Sequence, residues 1–106
     1  MKDTKTTWKN LKSQIDASGE RIFKKDVLQT EAFNVALVYL GKDQEIPPHP
    51  ESYAVFFHVL EGSGNFTTKR GTHSLKKGGS IYYKKNEMRG IKSEKKLILL
   101  GIQEPH

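Results

Sequence analysis

The sequence predicts a small all-β protein, an antiparallel β-barrel or sandwich, formed by a single domain of 106 residues. Three observations lead to this fold class. The apolar residues, 35% of the chain, are clustered in short runs, and glycine-rich turns separate these runs. Only one segment has a helical period. Short strands joined by such turns are typical of antiparallel barrels and sandwiches.

The N-terminal segment, residues 1–20, is the one helix candidate. Trp8, Leu11 and Ile15 lie at positions i, i+3 and i+7, which predicts one apolar stripe on a short helix. Trp8 is then expected to anchor this helix or arm on the barrel. Residues 21–30 follow a break at "ASGE" and predict a first strand.

Residues 31–41 predict the most apolar strand, because both of its faces carry apolar side chains from Val35 to Leu40. Residues 52–60 show the same pattern. A strand of this kind is buried on both sides. In so short a chain, faces of this kind need a partner surface, which predicts a homodimer.

Turn residues predict the remaining elements. Residues 41–51 predict a loop, because Pro47, Pro48 and Pro50 have no N–H to donate to a sheet. The other predicted elements are a turn (61–65), a hairpin around Lys69–Gly71 (66–79), a strand (80–85), a turn (86–90) and a closing strand (95–103).

Composition excludes several classes of function. The chain has no cysteine, so disulfides, thiolate metal sites and cysteine nucleophiles are excluded. No apolar stretch approaches the roughly 18 residues of a membrane helix, and the first residues lack a signal-peptide core. A cytoplasmic protein without a membrane segment is expected. The net charge of +6 raises nucleic acid as a partner, but dispersed lysine pairs at strand ends argue against it.

Two segments carry the strongest motifs. Residues 49–62, "HPESYAVFFHVLEG", run from His49 to Gly62, and residues 75–90, "LKKGGSIYYKKNEMRG", contain Gly78. Together they resemble the two motifs of the cupin superfamily, specifically its small single-domain members. The resemblance covers roughly residues 31–102. It implies a double-stranded β-helix, a jelly-roll-like barrel that carries both motifs within a single cupin domain over residues 1–106.

The family's metal ligands are largely replaced. His49 occupies the first histidine position, Glu51 the second, Val55 the glutamate position and Arg89 the closing histidine position. A valine cannot coordinate a metal, and a guanidinium has no lone pair to give. Two protein ligands make a weak site, so the resemblance implies a metal-poor cupin with no metal cofactor. The alternative is a metal-dependent cupin enzyme, an oxygenase or isomerase, in which His49 and Glu51 are partial ligands of iron, manganese, nickel or zinc.

The ligand-binding prediction therefore names His49, Glu51 and Arg89 at the mouth of the barrel, around a small polar or anionic ligand. If Arg89 points inward, its charge needs a partner, and Glu51 is the candidate. The alternative is that Arg89 faces solvent and that His49 and Glu51 only join a loop to a strand. Asn86, where the family has glycine, is expected to take a left-handed conformation.

No catalytic residue is assigned, and the balance of the sequence is against an enzyme. His58 is expected to face away from the lumen, and His73 to be exposed. A third interpretation is a basic module that binds nucleic acid or an acidic protein through its lysines.

Overall fold

The computed structural model describes residues 22–106, which form seven β-strands and no helix. The predicted helix over residues 1–20, with Trp8, lies outside the described residues. In chain order the strands are β1 (Phe23–Gln29), β2 (Asn34–Leu40), β3 (Glu45–Pro50), β4 (Val55–Thr68), β5 (Gly71–Lys76), β6 (Ser80–Tyr83) and β7 (Met88–Gln103). Residues 22–106 include no helix that is long and apolar enough to cross a membrane.

All strand pairs are antiparallel, with the order β1-β2-β7-β4-β5 and with β3 beside β7 and β6 beside β4. The structure has two halves, and the long strands β4 and β7 each run through both of them. The C-terminal half of β7 pairs with β2 and with the start of β4, whereas its N-terminal half pairs with β3 and with the end of β4. This arrangement confirms the predicted all-β, jelly-roll-like architecture.

The long strands bend where the β4–β7 register is irregular, between Val59 and Glu61 and between Gly62 and Gly64. Gly62 has a φ angle of 86°, a conformation that residues with a side chain rarely adopt. A Cβ atom placed on Gly62 would collide with the backbone carbonyl of Lys96 on β7. The bend therefore depends on glycine at this position.

The bend brings the inner faces of the two halves together around one hydrophobic core. Its members come from both long strands and from β2 and β6: Val38, Leu40, Val55, Phe57, Val59, Phe66, Tyr83, Ile91, Leu97 and Leu99. β2 is buried on its other face as well, where Leu37 and Tyr39 are almost fully buried. The prediction that this strand is covered on both sides is confirmed.

The loop predicted over residues 41–51 is wrong, because residues 45–50 form β3. This short strand pairs with β7 at Glu45, Ile46, His49 and Pro50, and its register shifts between Ile46 and His49. Pro47 and Pro48 occupy this irregular stretch, where no paired N–H is required of them. An edge strand can contain proline at positions where its neighbour needs no N–H donor.

Two predicted turns are also wrong. Residues 61–65 lie within β4, where the glycines make the bend rather than end the strand. Residues 88–90, placed in a turn, already belong to β7, and the turn is confined to the residues just before them. Strand pairing on both sides of these stretches outweighs their local turn propensity.

Gly62→Ala should lower the free energy of unfolding by about 2–5 kcal/mol, since it adds both backbone strain and a backbone clash. Gly78→Ala is the matched control. Gly78 also has a positive φ angle, 93°, but a Cβ atom there meets nothing within 4 Å, so about 1–2 kcal/mol is expected. Urea unfolding of both variants measures the difference, and equal losses would contradict this explanation of the bend.

Candidate functional site

A cavity of about 300 Å³ lies between the two halves, on the side of β1 and β3. We call it the barrel pocket. Its walls are mainly apolar and include Val38, Ile46, Phe57 and Ile91. Its polar lining consists of Lys24, His49, Glu51, Tyr53, Arg89 and Gln103. A small, mostly apolar cavity with a few polar groups is the usual form of a small-molecule site.

Strand pairing explains why the motif residues meet here. β3 pairs with the start of β7, and His49 lies directly opposite Arg89. Asn86, in the turn before β7, has a φ angle of 64°, which confirms its predicted left-handed conformation. Its backbone N–H donates to the carbonyl of Glu51 at 2.7 Å. The two motifs are thus held side by side at the pocket.

His49 and Glu51 form an ion pair at the rim of the barrel pocket. The Nε2 atom of His49 lies 2.8 Å from Oε2 of Glu51, and Nδ1 lies 2.8 Å from the carbonyl oxygen of Pro47. Both acceptors favour the protonated ring, so the hydrogen bond to Pro47 and then the one to Glu51 raise the pKa of His49 above its ordinary value of 6.5. Both ring nitrogens are therefore engaged by the protein itself.

Arg89 points inward and is only 6% exposed. Its Nη2 donates to the carbonyl oxygens of Tyr53, at 2.8 Å, and Lys84, at 3.0 Å. Nε makes a longer contact of 3.5 Å with the carbonyl of Glu87. These carbonyls orient the guanidinium but carry no charge to neutralise it.

The remaining nitrogen of the Arg89 guanidinium is Nη1. Nη1 is buried and has no hydrogen-bond partner among the described residues. The guanidinium carbon lies 5.3 Å from the ring centroid of Tyr53 and 5.4 Å from that of Tyr83, distances at which cation–π attraction stabilises the charge in part. A buried cation of this kind still favours an anion beside it.

Tyr83 supports the same wall of the site. Burial raises its pKa to about 12, so the phenol stays neutral and donates to the carbonyl of Thr67 at 2.9 Å. Burial also raises the pKa of Tyr53, whose ring stacks on His106 at 3.8 Å between centroids. Both rings that flank Arg89 are therefore uncharged and fixed.

The structure brings His49, Glu51 and Arg89 to one pocket, but it does not form the hypothesised Glu51–Arg89 pair. Glu51 pairs with His49 instead, because they lie two residues apart at the end of β3, where their side chains meet at the rim. Among the described residues, no carboxylate forms an ion pair with Arg89. His58 lies on the opposite face of β4 from the core residues, and His73 is exposed, as expected.

Sequence reasoning missed three polar residues of the pocket: Lys24, Tyr53 and Gln103. Tyr53 follows Glu51 by two residues, a spacing that could have suggested a shared face. Lys24 and Gln103 lie on β1 and β7, far from the motifs in the sequence. Only the topology places them at the pocket.

The residues present do not fit a divalent metal. Within residues 22–106, no group of three or more histidine, cysteine or carboxylate side chains is placed to hold a metal ion. The Nε2 atom of His49 is hydrogen-bonded to Glu51, and the residue directly opposite His49 on β7 is the cation Arg89. A guanidinium would repel a metal ion rather than bind it.

Comparisons with known proteins agree with the fold and with a ligand-binding family. Residues 34–97, more than half of the chain, match the family model described as the AraC-like ligand binding domain. No curated protein matches the sequence.

Solved structures similar to this chain share its fold at low sequence identity. TT1209 from Thermus thermophilus superposes with a TM-score of 0.83 at 22% identity, over 92% of this chain and 96% of that chain. An RmlC-like cupin from Shewanella frigidimarina gives 0.84 at 15% identity, over 100% and 96%. KdgF from Halomonas sp. gives 0.83 at 16% identity, over 97% and 96%. The chain therefore has the cupin fold that its motifs predicted.

The pKa of His49, followed by NMR titration, should lie above 6.5, and Glu51→Gln should lower it by replacing the carboxylate acceptor with an uncharged amide. Because the pKa of His49 is raised in the folded state, its protonation adds to the stability of the fold. This contribution is present in full at pH values below the unfolded-state pKa of 6.5. This contribution is lost as the pH rises through the folded-state value. Glu94→Gln, an exposed carboxylate outside the pocket lining, is the control. A wild-type pKa at or below 6.5 would contradict the geometry.

Proposed function

Because the chain belongs to the family of AraC-like ligand-binding domains, we propose that its barrel pocket binds a small organic anion. The anion is a carboxylate whose charge is held by Arg89 and whose apolar part lies against the pocket walls. The observation that carries this proposal is the buried Nη1 of Arg89, which lacks a hydrogen-bond partner among the described residues.

The charges of the lining support an anion rather than a neutral or cationic ligand. Lys24 and Arg89 are cations, whereas the one carboxylate of the described lining, Glu51, is already bonded to His49. A carboxylate beside Arg89 would gain charge-assisted hydrogen bonds in a region of low dielectric. The volume of about 300 Å³ suits a ligand of few atoms.

The same geometry leaves neither the imidazole of His49 nor the phenol of Tyr83 free to act as a general base. A general base needs a nitrogen or oxygen free to reach the ligand. Both nitrogens of His49 are bonded to protein groups, and the phenol of Tyr83 donates to a backbone carbonyl. The proposed role is therefore that of a cupin that captures a small molecule.

Self-association is a second part of the proposal. Four of the exposed large apolar side chains share one region of the surface: Phe33 (40%), Phe56 (41%), Tyr82 (61%) and Ile102 (41%). Phe56 pairs across the sheet with both Tyr82 and Ile102, so these three side chains adjoin. The neighbouring carboxylate of Glu104 accepts a hydrogen bond from the backbone N–H of Ala54. No cation lies in this part of the described surface, so a second apolar surface fits it better than an acidic one. We propose that two copies of the chain form a homodimer through this patch.

Ligand binding is tested by NMR titration with butyrate, succinate and benzoate, each compared with its neutral amide. At least one carboxylate should bind about ten times or more tighter than its amide, the effect of charge-assisted hydrogen bonds. Arg89→Met should abolish this preference. Since that variant also removes donors from three backbone carbonyls, Lys24→Gln is the milder test and should weaken binding without unfolding.

Lys95→Gln, which neutralises an exposed lysine outside the pocket lining, is the matched control and should bind as the wild type does. Amides that bind as tightly as the acids would contradict the proposed role of Arg89. Carboxylates that shift only resonances outside the barrel pocket would contradict the proposed site.

The dimer is tested by sedimentation equilibrium. The wild type should have twice the chain mass of 12.1 kDa, and Phe56→Asp should shift it to monomer by placing a charge in the apolar patch. Met88→Asp is the control, because Met88 is similarly exposed, at 40%, but lies outside the patch. A monomeric wild type, or equal dissociation of the two variants, would contradict the interface.

A further inference from the structure

A second and larger cleft, of about 570 Å³, is lined by residues other than those of the barrel pocket. It is bounded by β5 and β6, and we call it the β5–β6 cleft. These strands pair with the end and the start of β4, respectively, on the same side of β4. Leu75 of β5 and Ile81 of β6 pack partly against the core and form its apolar floor.

The rim of this cleft is cationic. Lys69 and Arg70 lie at the tip of the β4–β5 hairpin, and Lys84 follows β6; all three are exposed. His73, also exposed, lies on β5 between the tip and the floor. The one carboxylate of the described lining, Glu87, accepts a hydrogen bond from the backbone N–H of Lys84 at 3.1 Å. Positive charge therefore surrounds an apolar floor.

The cleft is also bordered by strand edges. β5 ends the strand order, and β6 pairs only with β4 among the described residues. Such edges present backbone N–H and C=O groups to which an extended peptide can add. An extended acidic peptide presents three kinds of group that fit this cleft. Its backbone can pair with a strand edge, an apolar side chain can lie on the floor, and its carboxylates can pair with the cationic rim.

We propose that the β5–β6 cleft binds an extended acidic segment of a partner protein. Its carboxylates pair with Lys69, Arg70 and Lys84, and an apolar side chain between them lies on Leu75 and Ile81. The cleft is larger and more open than the barrel pocket, which favours this occupant over a small anion, because the barrel pocket encloses a small anion better. Single-stranded nucleic acid fits less well, because no phenylalanine, tyrosine or tryptophan lines the described cleft to stack on bases.

The test uses a short fluorescein-labelled peptide of alternating glutamate and leucine, with the same peptide carrying glutamine in place of glutamate as its control. Fluorescence anisotropy should show binding of the acidic peptide that weakens as salt is added. The double variant Arg70→Glu/Lys84→Glu should bind about tenfold or more weakly. Lys42→Glu/Lys95→Glu changes the net charge equally at exposed lysines outside the cleft and should bind nearly as the wild type does.

NMR titration of the unmodified protein adds a test that needs no variant. Amide shifts should concentrate in residues 69–75 and 80–84. Absence of binding to the wild type, equal loss in the two double variants, or shifts spread over the whole basic surface would overturn the proposal. So would tighter binding of a single-stranded oligonucleotide of the same charge. None of these outcomes depends on ligand binding in the barrel pocket.

Discussion

The buried guanidinium of Arg89 is the interaction on which the pocket depends. Its Nη2 donates to the carbonyls of Tyr53 and Lys84, which joins the connection before β4 to the turn before β7. Asn86 closes the same turn onto the carbonyl of Glu51. Two connections from distant parts of the chain therefore form one wall with a cation at its centre. Because carbonyls orient this cation without neutralising it, we propose an anion as the ligand of this wall.

Much of the fold could be predicted from local patterns. The apolar run from Val35 to Leu40 indicated a strand buried on both faces, and the spacing of Gly62 and Gly78 carried the cupin resemblance. β3 was missed because proline usually excludes a strand, a rule that fails at an irregular edge. The bend at Gly62 resembles a turn in the sequence, because the sequence does not show that β7 continues the pairing on its far side.

The site could be predicted only in part, for a different reason. Motif spacing brought His49, Glu51 and Arg89 together, but it could not say which side chains pair. Glu51 lies two residues from His49 and bonds to it, so Arg89 is left with backbone carbonyls. Lys24 and Gln103 reach the pocket through topology alone. The cations of the β5–β6 cleft are exposed and solvated, unlike Arg89, so they suit a larger and more salt-sensitive partner.

Arg89 is proposed to hold the charge of a small anion inside the barrel. A crystal structure of the protein with para-bromobenzoate tests this most directly, since the anomalous signal of bromine locates the ligand. We expect bromine in the barrel pocket among the apolar walls, with a carboxylate oxygen about 3 Å from a nitrogen of the Arg89 guanidinium. A ligand bound with its carboxylate away from Arg89, or bound only outside the pocket, would contradict this role of the guanidinium.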